Sequence, residues 1–473
     1  MQKARMGVLL IATNRFYHLG EDTPKGSYHQ RKMREVHEYM EALEDFCDPI
    51  GLGRPAYTRE DLAEALSLFQ REKADCIFAA FLSWTEDFLW VRFLRDVGSV
   101  PVLYALRVRE SIDFADTADE SDFTEFLSAG GLVGTLEGSG SVGRFKPEMF
   151  ETAVGTLPQL MERAKVFCAA AAMRSRLRQS VFGLLASYNE VMWSTYVDPY
   201  TLFQKAGPEL RFLSVVTLVQ EVEKVPAKQV EQACKTLSER YTVLPDVYQE
   251  KFKASVRASI ALENTGRSAG VDMVVLNDVD PVLLTEVGLR PGFIPTPAGG
   301  DIPVVPEGDI GGGLAVYILR ELTGKPVSFI EPFHIDLPNN CFAGGHAGPN
   351  DYTDPAGSVM IARDVRFAKT SYKHAGAPFA WYLLPPGRKT LLHISQKDGG
   401  FKMVCALVDA LPAKHFITSY SHGLFRPVGQ DMPSFFHKLI NKGVTQHYAV
   451  ADGEHIAELE ALAGLMGFSF VRL

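Results

Sequence analysis

Five stretches in the last third of the chain hold the residue types that could do chemistry. They are Pro306-Glu307-Gly308-Asp309, Phe329-Ile330-Glu331-Pro332, Gly344-Gly345-His346, Ser421-His422-Gly423 and Gln446-His447-Tyr448. Nine of the twelve histidines lie after residue 330, and none lies between His37 and His334. Imidazoles set among carboxylates in glycine-rich turns are the donor set that a divalent ion with mixed oxygen and nitrogen ligands needs.

Each stretch also has a plainer use. Glu307 and Asp309 precede Gly311-Gly312-Gly313 and an apolar segment, 314–322, that reads as a helix, so a carboxylate there could simply stabilise a helix N-terminus. Glu331 ends the apolar run 327–330 and is followed by Pro332. A carboxylate at the end of a buried strand needs a partner, either an arginine or a metal. His346 sits in the loop-like run 342–348, where small neighbours leave an imidazole room to reach an ion, and His447 stands just before an apolar strand. His422 is a further candidate, whereas His374, His393, His415, His437 and His455 read as core or surface residues. Residues 138–143 spell a literal GxGxxG, but the strand before it is poor and Pro147 falls where a helix should begin. That context reads as a flexible loop, not a nucleotide site.

The order of the pieces, EGD and a helix, then FIEPF, then GGH, and a late QHY before a helix and a terminal strand, resembles the L-arabinose isomerase and L-fucose isomerase superfamily. The arabinose branch is the closer in pattern, and residues 212–222 are similar to its central segment; the likeness runs from about residue 175 to the C-terminus. The resemblance implies a metal-dependent aldose–ketose isomerase working through a cis-enediol, with one Mn²⁺, or another divalent ion, held by Glu307, Glu331, His346 and His447. Glu307 and Glu331 would also carry protons, with Asp309 and His422 near the sugar. It further implies a homotrimer or homohexamer in which the first domain of one chain covers the metal of its neighbour, making Arg15, His18 and Trp84 candidates for the far end of the sugar. Gln446 stands where the arabinose branch has the first of two adjacent histidines. The identity of the sugar, and whether it is sulfonated or phosphorylated, therefore stays open. A non-catalytic sugar-binding protein and a metal-dependent hydrolase are the alternative functions.

The elements that must position these residues alternate. Apolar runs at 6–13, 76–81 and 100–106 read as buried strands, and 31–47 and 86–97 as helices between them. A long helix is expected over 164–185. After it come a strand at 212–219, helices at 226–241 and 252–262, and a strand at 271–277. Beyond 326 the texture turns to short runs such as 358–362, 390–394 and 415–419, closed by a helix at 455–466 and a strand at 469–473. The fold class is α/β: two doubly wound, parallel-sheet domains over 1–170 and 171–325, then a mainly β, barrel-like domain over 326–473. With 48 basic against 57 acidic residues and a net charge of −9, nucleic acid is not an expected partner. No stretch approaches a membrane span, and six scattered cysteines suit reduced thiols. A cytoplasmic protein with a small-molecule sugar as its partner is the expectation.

Overall fold

A computed structural model of the protein describes residues 3–109, 111, 119–128, 131–287, 302–347 and 359–473; Gly348 and Ser358, each part of a segment read above, lie outside them. The chain divides into two compact units, Met1–Ser175 with Ala457–Leu465, and Arg176–Ile456 with Met466–Leu473.

In the first unit, strands β1 (Ala4–Ile11), β2 (Cys47–Gly51), β3 (Cys76–Phe81), β4 (Val102–Arg107) and β5 (Phe150–Gly155) form a parallel sheet in the order β2-β1-β3-β4-β5. Two connecting helices start on reciprocal caps. Ser27 and Gln30 open the helix Tyr28–Glu44, and Thr58 and Asp61 open Arg59–Arg71, each pair satisfying donors that a first turn leaves bare. The glycine-rich stretch expected to be a loop is instead part of the helix Gly131–Phe145. Its glycines at 134 and 138 press onto the sheet: an added Cβ would lie 2.6 Å from the Ser83 carbonyl oxygen or 2.5 Å from the Tyr104 hydroxyl. Close packing here outweighs the roughly 1 kcal/mol per glycine by which the residue disfavours a helix.

The second unit begins with β6 (Val181–Leu185), β7 (Glu209–Leu213), β8 (Thr242–Val243), β9 (Met273–Leu276) and β10 (Val304–Val305). Of these, β10-β9-β6-β7 make a parallel sheet. Two expectations fail in this region. The long helix ends at Leu177, and residues 181–185 are strand β6, since the apolar run Val181–Leu185 is the inner strand of the new sheet. The strand expected over 212–219 stops at Leu213, because the Ser214 hydroxyl accepts from Val216 N and caps a helix, Val215–Lys224. That helix buries Leu218.

The remaining strands are β11 (Ser328–Asp336), β12 (Cys341–His346), β13 (Met360–Arg363), β14 (Pro378–Trp381), β15 (Gly387–Lys397), β16 (Gly400–Leu411), β17 (Ser421–Pro427), β18 (Tyr448–Asp452) and β19 (Ser469–Arg472). Six of them close an antiparallel barrel, β15-β18-β11-β12-β17-β16, with β16 pairing back onto β15 from Gly387↔Ala410 to Lys397↔Gly400. Closure leaves no open edge within the ring; β19 adds to β16 in parallel, and β14-β13-β8 form a small separate sheet. Residues 415–419, expected as a strand, are a loop ending in a turn. Two chemistry-bearing residues also sit differently. His346 is the last residue of strand β12, not part of a loop, and Glu331 lies within β11, which continues through Pro332 to Asp336. A register shift between Pro332 and His334 lets the strand pass a residue that cannot donate to the ladder.

One apolar cluster runs from the parallel sheet, through Leu185, Val274 and Leu276, into the barrel, through Ile330, Phe342 and Phe425. The carboxyl ends of β6, β9 and β10 are thereby held against the barrel wall as a single packed body. All six cysteines are free and buried. Among the described residues no helix is long and apolar enough to cross a membrane.

Candidate metal centre

Glu307 leaves the carboxyl end of β10 with φ +62°, a left-handed conformation that few side chains other than glycine adopt. Its amide donates to Asp278 Oδ1 at 2.7 Å, an anchor from the carboxyl end of β9. Two residues on, Asp309 caps the helix Ile310–Thr323, its Oδ1 accepting from Gly312 N at 2.8 Å. That helix can start so close to the barrel because Gly311 and Gly312 lack side chains. A Cβ at Gly312 would lie 2.6 Å from the Phe329 ring of β11, and one at Gly311 would meet the Ile394 carbonyl of β15.

Three donors converge on this corner. Ligand atoms of Glu307, His346 and His447 all lie within 4.8 Å of one another, the histidines buried and the glutamate half-buried. His447 Nε2 is 3.0 Å from Glu307 Oε2, and His346 Nε2 is 3.7 Å from Glu307 Oε1. The closer pair lies at ion-pair distance, the imidazole of His447 set directly against the Glu307 carboxylate. On the other side of its ring, His447 Nδ1 donates to Asp309 Oδ2 at 2.8 Å. That bond fixes the tautomer and turns Nε2 toward Glu307, as a carboxylate does for a metal-ligating histidine. Phe329 supports both imidazoles, its ring centre 5.0 Å from that of His346 and 4.7 Å from that of His447. Two imidazoles and a carboxylate oxygen suit a divalent ion that accepts mixed nitrogen and oxygen ligands, so the donor set fits such a cation.

The electrostatics separate the acids. Burial works to raise Glu307, yet its contact with His447 and the charges of the two histidines hold its carboxyl below the usual range. Glu331 goes the other way, raised first by burial and then by the charge of Glu307. Burial would lower His447, but Asp309 and Glu307 outweigh it and push the imidazole up to about 10. Asp278 is raised to about 7 by burial and by Glu307.

Of the residues singled out from sequence, Glu307, His346 and His447 are brought together, and Asp309 is joined to them through His447. Glu331 is outside that converging set, although it senses the charges of Glu307 and His447. His422 is committed to backbone: Nδ1 donates to Tyr420 O at 2.7 Å, and Nε2 accepts from Phe416 N at 3.1 Å. Arg15, His18 and Trp84 belong to the first unit. There Arg15 Nε pairs with Glu86 at 2.7 Å and lies over the Trp84 ring, while His18 faces Glu21 at the surface. Sequence reasoning missed Asp278, Asn189, Asn277 and Arg366. Asn189 and Asn277 follow β6 and β9 and are buried, and the Asn189 Nδ2 and Asn277 Oδ1 atoms lack hydrogen-bond partners among the described residues. Arg366 is 3.6 Å from Asp364, lies over the Tyr420 ring, and its charge reaches Asp278, Glu307 and Glu331. Polar residues directly after apolar strand runs were the available signal.

No protein-family profile matches the chain. Over 169 residues it is 25% identical to the sulfoquinovose isomerases of Priestia aryabhattai and Priestia megaterium. The matched stretch covers 34% of this chain and 35% of each of those relatives.

A metal ion must displace the proton that His447 carries below about pH 10. Mn²⁺ binding is therefore expected to release about one proton per ion at pH 8 and to tighten as pH rises through the neutral and mildly alkaline range. Calorimetry in buffers of different ionisation enthalpy reads the proton count. Asp309→Asn, which can still cap the helix, should weaken Mn²⁺ about 10–100-fold. Unchanged affinity in that variant, with no proton released by the parent protein, would remove the assigned roles of both residues.

Proposed function

We propose that the protein is a metal-dependent aldose–ketose isomerase acting on an anionic sugar. The observation that carries this is the convergence of Glu307, His346 and His447, with Asp309 orienting His447. Support from outside the site is the partial likeness to sulfoquinovose isomerases, named for a sulfonated sugar. Glu307, His346 and His447 would hold one divalent ion, Mn²⁺ by the balance of oxygen and nitrogen donors, with Glu331 as a fourth ligand. When bound, the ion would supply Lewis-acid stabilisation of negative charge developing on the sugar oxygens, an effect worth several kcal/mol.

The chain's own groups account for the proton movements. Isomerisation takes a proton from C2 and returns one to C1, while a hydroxyl proton passes between O2 and O1, so a cis-enediol lies between aldose and ketose. Two carboxylates pushed in opposite directions by their surroundings mark the division of labour. Glu307, held ionised, is the anionic ligand. Glu331, whose carboxyl takes up a proton more readily, is the base at C2 and the acid at C1. Asn189 and Asn277 offer a buried amide donor and acceptor beside the same sheet edge for sugar hydroxyls, and Arg366 is the cation assigned to the sulfonate or phosphate. We further propose a cytoplasmic homotrimer or homohexamer in which Arg15, His18 and Trp84 of one chain reach the sugar held by another.

Glu331→Gln should keep Mn²⁺ at near-parent stoichiometry yet slow exchange of the sugar C2 hydrogen with solvent by about 10²–10⁴-fold, the usual range for loss of a general base. Glu307→Gln should lose exchange and the ion together. Exchange of sulfoquinovose and of glucose, followed by NMR in D₂O, is the measurement. Full exchange in Glu331→Gln would assign the proton transfer elsewhere, and full activity after exhaustive chelation would end the metal-dependent reading.

Sharing of the site between chains has its own test. His18→Ala should weaken sugar binding without altering metal binding, and mixing it with Glu307→Gln chains should restore activity through hybrid oligomers. No recovery after verified subunit exchange, or a monomer in solution, would confine the site to one chain.

A further inference from the structure

The first unit contains a cleft of about 260 Å³ at the carboxyl edge of its parallel sheet, the edge at which open α/β sheets hold ligands. One wall is formed by Phe81 and Leu82 at the end of β3 and by Arg107, which ends β4, and Arg109 just beyond it, and the facing wall by Arg31, Arg34 and Glu38 of the helix Tyr28–Glu44. Four guanidinium groups, on Arg31, Arg34, Arg107 and Arg109, face three carboxylates, on Glu35, Glu38 and Glu125. Lys32 adds a fifth cation behind the lining: it is fully buried, pairs with Glu35 at 2.7 Å, and donates to the carbonyls of Leu82 and Ser128. The balance is five positive against three negative groups, an excess of two positive charges in a chain whose net charge is −9.

The arginines are arranged, not scattered. Glu125 takes both Arg31 and Arg109, and Arg107 is tied to Glu38 at 2.7 Å while lying over the Tyr39 ring. Carboxylate bridges of this kind hold guanidinium forks in place with N–H groups left over, since each fork has five donors. Ser128 supplies an independent sign. It lines the cleft, is 7% exposed, and its hydroxyl has no hydrogen-bond partner among the described residues. A buried hydroxyl left without a partner costs free energy, and a ligand in the cleft would satisfy it.

We infer that this cleft binds a small oxyanion, a phosphate, sulfate or sulfonate group, through the spare N–H groups of Arg107 and Arg109 and the Ser128 hydroxyl. The volume lies just under the roughly 300–1,000 Å³ usual for small-molecule sites, and planar guanidinium forks match tetrahedral oxyanions in geometry as well as charge. The oxyanion could be free or carried on a sugar, with Glu38 and Glu35 facing the hydroxyl groups of the latter. The site is built from first-unit residues alone and does not depend on the isomerase reading.

Calorimetric titration of the whole protein with inorganic phosphate, inorganic sulfate, glucose 6-phosphate and glucose tests it. Saturable binding of the two inorganic anions or of the ester, and none of glucose, is expected. Arg107→Gln should weaken the bound anion at least tenfold, and so should Arg109→Gln, whose parent side chain is 46% exposed and therefore leaves folding intact. Arg366→Gln should bind the same anion as the parent protein does, which separates this cleft from the cation assigned beside the metal centre. Inorganic phosphate binding as tightly as the ester assigns the free anion, and preference for the ester assigns a sugar-borne one; both sustain the oxyanion site. No saturable binding of any anion, or affinity equal to that of the parent protein in both arginine variants, overturns it.

Discussion

The hydrogen bond from His447 Nδ1 to Asp309 Oδ2, 2.8 Å long between two buried groups, joins parts of the chain 138 residues apart and decides what the neighbouring atoms can do. Asp309 is simultaneously the cap of the helix Ile310–Thr323, so the same carboxylate satisfies the helix's first turn and sets the ring of His447. Removing that carboxylate would leave a buried imidazole facing Glu307 with its orientation undefined. Removing the imidazole would leave the buried Asp309 and the half-buried Glu307 without the cation between them, which burial and like charge both penalise. The arrangement is balanced only with a cation, a proton or a metal ion, between the side chains.

That pair is held by constraints from two folds packed as one. The parallel sheet delivers Asn189, Asn277, Asp278 and Glu307 at the carboxyl ends of its strands, and the barrel delivers His346, Glu331 and His447 from β12, β11 and the start of β18. Their meeting depends on the glycines at 311 and 312, which let the connecting helix lie against Phe329 and Ile394. It also depends on Glu307 adopting φ +62°, a strained geometry of the sort that persists where surrounding structure over-determines it and that clusters at functional sites. Asp278, accepting from the Glu307 amide, is one of the bonds that hold it there.

The donor residues were legible because imidazoles and carboxylates are scarce in apolar context and their types alone restrict the chemistry. Their settings were less so. Pro332 looked like a strand terminator, yet β11 absorbs it with a register shift and runs on to Asp336. The stretch 138–143 looked like a loop because propensity is local, whereas the sheet that Gly138 presses against is not. Ser214 was a readable cap that ended the expected strand. Asp278 carried only the signal of a polar residue just after an apolar strand run, and Arg366 carried none, because the acids its charge reaches, Asp278, Glu307 and Glu331, lie far away in sequence. The barrel was legible as a texture of short runs, but its closure through β15 and β16 is a long-range pairing that spacing does not encode.

The most direct test of the metal centre is anomalous diffraction at the manganese edge from crystals grown with Mn²⁺. The account predicts one strong peak within bonding distance of a Glu307 carboxylate oxygen, His346 Nε2 and His447 Nε2, with the His447 to Asp309 hydrogen bond intact. Absence of a peak at full Mn²⁺ occupancy of the solution, or a peak bound by other residues, would contradict it.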